Sequence, residues 1–173
     1  MAAEDRRKGP CIEAVPDGDT KARLVCPECG YVEYRNPKIV VGAVCVWEDT
    51  FLLCRRAIPP RKGFWTMPAG FLELNETTAE GAKREAFEEA NARVEVDGLI
   101  GVYEIPHVSM LYVIHKARLL APDVAAGAES EAVAFFRWND IPWDDLAFSS
   151  VGWAHRQYRA AAAPSLYVAP PGD

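Results

Sequence analysis

The stretch Gly70–Ala92, GFLELNETTAEGAKREAFEEANA, decides how the rest of the chain is read. Ala, Glu and Lys dominate its second half and no Pro interrupts it, so the composition predicts a helix. Thr77 followed by Glu80 has the spacing of a capping box, which sets the helix start. Asn91 tolerates the left-handed conformation in which helices commonly end. At about 100° per residue, Ala79, Ala82, Ala86 and Ala90 share one stripe, with Phe87 beside it, and this stripe is expected to pack. Glu85, Glu88 and Glu89 gather on a second stripe, expected to stay out of the core.

Carboxylates spaced i, i+3 and i+4 repel one another by a few tenths of a kcal/mol per pair on an exposed helix, and by more where water is excluded. A divalent cation converts that cost into a site. Hard oxygen ligands suit Mg²⁺ or Mn²⁺, which keep several waters and take phosphate oxygens of a substrate at the same time. Arg84 lies one residue before Glu85 and four before Glu88, so it can orient a carboxylate through charge-assisted hydrogen bonds. The competing reading, a solvated acidic face laced with salt bridges, is the commoner one for a bare E-x-x-E-E.

The pattern here is longer than that. Gly70, five residues, Glu76, seven residues, then Arg84-Glu85-Ala86-Phe87-Glu88-Glu89-Ala90-Asn91-Ala92 resembles the Nudix box, the signature of the Nudix hydrolase superfamily. The preceding WTMPAG, residues 65–70, resembles the family's approach to the box. Asn91 is the one departure, standing where the family usually has Gly; Asn is the next best residue for a left-handed cap. The resemblance implies an α/β fold, an α/β/α sandwich with a mixed sheet, and hydrolysis of a phosphoanhydride with Mg²⁺ or Mn²⁺. It implies metal ligation by Glu85, Glu88, Glu89 and the backbone carbonyl of Ala69, with Arg84 orienting the cluster. Glu76, on the loop side of the helix, reads as a structural acid holding the loop, with metal binding the lesser reading. Family members take a general base from a loop after the box, where GAESEAV offers Glu129 and Glu131; Glu131 is carried as the catalytic candidate.

Composition agrees with a small enzyme. The 173 residues are half hydrophobic, enough for one real core. A formal net charge of -6 argues against a nucleic-acid partner or an anionic membrane surface, since both call for a basic face. No apolar run approaches a membrane span, and MAAEDRRKGP lacks the apolar centre of a secretory signal. Five cysteines give no disulfide framework and suit a reducing cytoplasm. The expected partner is therefore a nucleotide-type small molecule, with a homodimer as the one protein assembly entertained.

Working outward, residues 1–36 are expected to be a frayed tail followed by a hairpin. Cys26-Pro27-Glu28-Cys29-Gly30 sits between strand-like pieces at Ala22–Val25 and Tyr31–Tyr34 and is half of a zinc ribbon, resembling the ribbon that precedes the main domain in some Nudix hydrolases. A closed zinc site takes four ligands. Here Cys11, Cys26 and Cys29 are the candidates, Asp17 or Asp19 would have to complete them, and the hairpin is read as incomplete. Cys45 and Cys54 lie in apolar runs and read as small core residues.

Residues 37–165 are expected to form the hydrolase domain and 166–173 a loose tail. Lys38–Trp47 and Phe51–Arg56 read as a hairpin about Glu48-Asp49-Thr50. Arg55 and Arg56 lead into AIPPRKG, where Pro and Gly forbid regular structure; with Arg61 and Lys62 they are candidate phosphate contacts. Arg93–Ile105 predicts one or two strands around Gly98, Met110–Leu119 another, and Ala132–Trp138 a third. WNDIPWDDL reads as a short helix or turn, and Ser149–Ala163 as a helix capped by Ser149 or Ser150.

An adenine ring needs an aromatic or apolar slot, for which Trp47, Trp65, Tyr103 and Tyr112 are candidates. PKIVVGAV, MPAGF, IPWDDLAFSS and Pro106 after the box resemble the ribbon-bearing Nudix group associated with FAD and ADP-ribose. The Ser-Gln-Pro-Trp-Pro-Phe-Pro block of the NADH and NAD-capped RNA group is absent. The resemblance implies cleavage of FAD to AMP and FMN, placed slightly first, or of ADP-ribose to AMP and ribose 5-phosphate. The alternatives are a catalytically silent nucleotide-sensing module, a hydrolase of NADH or nucleoside triphosphates, and a nucleic-acid adaptor using the knuckle.

Overall fold

The computed structural model describes residues 9–170, which divide between Asn36 and Pro37 into two compact units. The frayed terminus expected over residues 1–9 falls, except for Gly9, outside the described residues. In the first unit β1 (Ile12–Ala14), β2 (Arg23–Val25) and β3 (Val32–Glu33) make an antiparallel sheet of three strands in that order. The Cys-Pro-Glu-Cys-Gly knuckle turns β2 into β3, with Gly30 at φ 74° and its N–H on the Cys26 carbonyl.

The second unit is a mixed sheet with one helix on each face. Its strands are β4 (Lys38–Trp47), β5 (Thr50–Arg56), β6 (Trp65–Thr66), β7 (Ala69–Phe71), β8 (Val94–Ile105), β9 (Met110–Leu119), β10 (Ser130–Arg137) and β11 (Ser165–Val168). The order is β10-β5-β4-β9-β8-β11, with β6 on β5 and β7 on β4. β4 runs parallel to β9 and β11 parallel to β8; the other pairs are antiparallel. The helices are α1 (Thr78–Ala90) and α2 (Ser149–Arg159).

Period-two alternation sorts the core into two clusters. Ala43 and Cys45 of β4 and Leu52 and Cys54 of β5 face Ala82, Ala86 and Ala90 of α1. Their neighbours Val44, Phe51 and Leu53 face the opposite way, against Val151 and Ala154 of α2. The small residues let α1 lie close to the sheet. Cys45 and Cys54 are core residues as expected, with burial pushing the Cys45 thiol up to about 12.

Several boundaries differ from the sequence reading for identifiable reasons. Phe87 is 48% exposed, because the sheet receives only the alanine stripe. Arg93–Ile105 gives a single long strand; Gly98, at φ 148°, absorbs a register shift against β9. α2 is capped by Phe148 with no side-chain hydrogen bond, not by Ser149 or Ser150. WNDIPWDDL becomes two 3₁₀ turns, Trp138–Asp140 and Trp143–Asp145. Of the tail expected to be loose, Leu166–Val168 lie in β11, whose parallel pairing with β8 satisfies their backbone; residues 171–173 lie outside the described residues.

Candidate active site

α1 starts and stops where the sequence says. Thr77 accepts from the Glu80 N–H at 3.2 Å, and the Glu80 carboxylate accepts from the Thr77 N–H at 2.8 Å. Asn91 ends the helix at φ 51°, donating to the Ala86 and Phe87 carbonyls. Between these caps the three carboxylates diverge in environment. Glu85 is 8% and Glu89 7% exposed, whereas Glu88 is exposed. The acidic stripe is thus largely buried, against expectation. β7 covers it from one side and the segment 121–129 folds back over the end of α1 from the other, with the Ala125 N–H on the Ala90 carbonyl and the Gly127 N–H on the Glu89 carbonyl.

Two glycines permit this closeness. A Cβ on Gly70 would collide with the Glu85 carboxylate, and one on Gly127 with the Glu88 carbonyl. The first Gly of the box is therefore steric: its missing side chain is where Glu85 lies.

Arg84 gathers the acids on the loop side. Its guanidinium forks onto Glu76, with Nε to Oε2 at 3.0 Å and Nη2 to Oε1 at 2.7 Å, while Nη1 reaches Glu85 at 2.6 Å and Glu88 at 3.0 Å. Nη2 also donates to the Phe71 carbonyl. Glu76 accepts from the Glu73 N–H, and the Arg84 hydrogen bonds hold its carboxyl below the usual range. It lies where a loop-holding acid should.

Glu89 receives the Ala69 N–H at 3.3 Å. Burial nevertheless dominates and raises its carboxyl to about 8, with Glu85 and Glu129 pushing the same way and Arg56 opposing. Burial also raises Glu85, against the lowering by Arg84. Two neighbouring acids that lose water without gaining enough partners are what a cation relieves. The hard oxygens of Glu85 and Glu89 suit Mg²⁺ or Mn²⁺. The pair is not a closed cage: among the described residues no three Asp, Glu, His or Cys side chains converge as a metal site, and Arg84 holds Glu88.

These residues form one wall of a cleft of about 1010 Å³. The opposite side is apolar and aromatic, with Ile105, Val108, Tyr112, Phe148 and Trp153, and Arg56 lies in the same cleft. The cleft includes Glu129 and not Glu131: Glu131 instead faces Arg55 and Lys62, each at 3.7 Å. Two residues apart, they would share a face of a regular strand; Glu129 precedes β10, and the register shift between Ser130 and Ala132 sets the two acids apart. Arg55 is likewise outside the cleft, its Nε on the Gly63 carbonyl. Tyr103 is a core residue, 1% exposed, donating to Gln157 and stacked on Trp153, so it cannot serve as a substrate platform. Trp47 packs against the α1-side core and Trp65 edge-on to Phe136; of the four aromatic candidates Tyr112 is the one that lines the cleft. Phe148 and Trp153 are not singled out by the sequence reading, and Ser150 only as a candidate helix cap. The stretch IPWDDLAFSS carries Phe148 and Ser150 but its spacing says nothing of which side chains turn inward, and Trp153 lies beyond it.

In the first unit Ile12 pairs with Val25, and the Cys11 N–H donates to the Val25 carbonyl, so Cys11 lies beside Cys26 on the neighbouring strand. The N–H groups of Cys29 and Glu28 draw the Cys26 thiol below its usual value. Three cysteines remain one short of a closed zinc site. Asp19 does not complete it: its carboxylate takes Arg23 Nε at 3.0 Å and the Thr20 and Lys21 N–H groups.

Comparison with known proteins places this geometry. The family described as NUDIX domain matches residues 36–158, and the zinc-ribbon family described as Nudix N-terminal matches residues 8–35. An ADP-ribose pyrophosphatase of Methanocaldococcus jannaschii is 30% identical over 125 residues, 68% of this chain and 71% of that protein. A MutT-like protein of Streptomyces ambofaciens is 34% identical over 103 residues, 60% of this chain and 66% of that protein. The crystal structure of a NUDIX hydrolase from Nitrosomonas europaea superposes with a TM-score of 0.86 at 41% identity, covering 95% of this chain and 98% of that one.

Proposed function

The chain belongs to the Nudix hydrolase family, and on that premise we propose that it hydrolyses the diphosphate of a nucleoside diphosphate derivative, ADP-ribose or FAD. The observation that carries this reading is the pair of buried carboxylates, Glu85 and Glu89, side by side on the wall of a cleft whose far side is apolar and aromatic. A catalytically silent sensor has no use for two acids kept at a desolvation cost. The similarity to a protein named ADP-ribose pyrophosphatase moves ADP-ribose ahead of FAD, reversing the order suggested by sequence resemblance.

Glu85, Glu89 and Glu88, with the Ala69 carbonyl, would hold the cation. Mg²⁺ or Mn²⁺ bound there supplies charge neutralisation on the phosphoryl oxygens and acidifies a coordinated water. Arg84 orients Glu85 and Glu88 through its hydrogen bonds to both. Glu129 is the better base candidate than Glu131, since it faces the cluster, and the Ala57 N–H fixes its backbone carbonyl at 2.8 Å. It would accept the proton of the attacking water. The apolar far side excludes water and takes the rings of the substrate.

A hydrolysis panel tests the reading: ADP-ribose, FAD, NADH, diadenosine polyphosphates and nucleoside triphosphates, each with Mg²⁺ or Mn²⁺ and product separation by chromatography. AMP with ribose 5-phosphate or FMN is expected. Release of phosphate or pyrophosphate from triphosphates, with ADP-ribose and FAD both intact, overturns the substrate assignment.

A further inference from the structure

The cleft has a second polar feature on the wall away from the acids, where α2 begins. The N-cap of α2 is Phe148, whose side chain makes no cap hydrogen bond, and the first turn of the helix, with its positive end, lines the cleft. Ser150, in that turn, lines the cleft, is 2% exposed, and its Oγ has no hydrogen-bond partner among the described residues. A buried hydroxyl in this state is destabilising until a partner arrives. Arg56 stands over the same place. Its Nε is anchored on the Pro60 carbonyl at 2.8 Å and its guanidinium lies 5.3 Å from the Phe148 ring centroid, so the side chain is held from two directions. It forms no ion pair among the described residues, and its charge is felt at both Glu89 and Tyr112.

A helix N-terminus at the cleft, an unpartnered buried hydroxyl and a preorganised guanidinium all ask for the same thing, an anionic oxygen. The acids opposite ask for a cation. We propose that Arg56, the first turn of α2 and the Ser150 hydroxyl form a metal-independent phosphate subsite, which takes the phosphate of a nucleoside diphosphate derivative that lies away from the acidic wall. The proposal rests on the diphosphate reading given above and divides the substrate's two phosphates between the walls: one belongs to the cation at Glu85 and Glu89, the other to Arg56 and α2. Ser150 is then a specificity element as well. A ligand lacking the second phosphate leaves its hydroxyl unpaired.

The test is calorimetric titration of the chelator-treated full chain with AMP and, separately, with inorganic phosphate, alongside steady-state kinetics. Both ligands are expected to bind without metal, with AMP tighter because the apolar side adds to it. Arg56→Gln should weaken both by about tenfold or more, and Ser150→Ala by about threefold to tenfold. Arg56→Lys should recover part of the loss, since it restores charge without the fork. Ser150→Ala should leave Tm unchanged or higher, because it removes an unpaired buried hydroxyl, and should raise KM more than it lowers kcat. If neither substitution changes AMP or phosphate binding, or if Ser150→Ala lowers Tm while binding is unaltered, the subsite is overturned. Metal-independent binding that responds to both substitutions, with no panel substrate turned over, supports the subsite and overturns the hydrolase reading instead.

Discussion

Glu89 and Glu88 lie one residue apart on α1 in opposite circumstances. Glu89 is buried on one N–H, and Glu88 is exposed and tied to Arg84. Changing either to Gln is expected to reduce turnover on the order of a hundredfold or more while far-ultraviolet circular dichroism stays parental. Parental rates in both variants would place the chemistry elsewhere. His155 offers a test at the opposite face of the sheet. It is buried beside Phe51, its Nδ1–H donates to the Val151 carbonyl at 2.7 Å, and its Nε2 has no partner. Burial holds its pKa down at about 4, below the ordinary 6.5. As pH falls from 6.5 the unfolded chain takes this proton first, so stability present above pH 6.5 is lost progressively down to about pH 4. A separation of this size is worth on the order of 3 kcal/mol. Tm measured from pH 7 to pH 4 should fall less steeply in His155→Gln than in the parental chain; equal slopes refute the assignment. None of this was legible at His155, because nothing in its neighbours announces total burial. The box residues were legible because a single turn-to-helix segment carries them all.

At the scale of elements, α1 could be read to the residue, since its cap signals are local: Thr77, Glu80 and Asn91 act within four positions of one another. α2 could not, because its N-cap is Phe148, whose side chain makes no cap hydrogen bond and carries no local start signal. Likewise the choice between Glu129 and Glu131 depends on the irregular start of β10, where the register with β5 shifts between Ser130 and Ala132, and not on the acids themselves. The segment 121–129 is the element most open to test. It closes over α1 only because Gly127 has no side chain to strike the Glu88 carbonyl. Gly127→Ala forces backbone to move, and it is expected to lower turnover by about tenfold or more through displacement of Glu129, with a loss of roughly 1–2 kcal/mol in stability. Chemical denaturation and kinetics on the same preparation read both. Parental values in both would show that the segment is slack.

For the molecule as a whole, the incomplete ribbon predicts that zinc is present at less than one equivalent per chain, read by metal analysis of the purified protein, and that chelation leaves the main thermal transition in place. Stoichiometric zinc whose removal abolishes that transition would contradict this and would direct attention to a fourth ligand. The sheet order carries a further consequence. β4 lies at the centre of the sheet and its parallel partner is β9, so Lys38 meets Met110 only after the whole box and β8 have been made. As the chain leaves the ribosome, the β4–β5 hairpin and α1 can form early, yet the acidic helix then faces an unfinished sheet and water. Pairing between such distant segments is slow, and the exposed strands are prone to associate until it occurs. The wall bearing Phe148 and Ser150 is synthesised later still. A nascent chain halted between Ala92 and α2 carries every box residue and no enclosed cleft, so competence to bind phosphate should switch on late in synthesis, when the last helix docks.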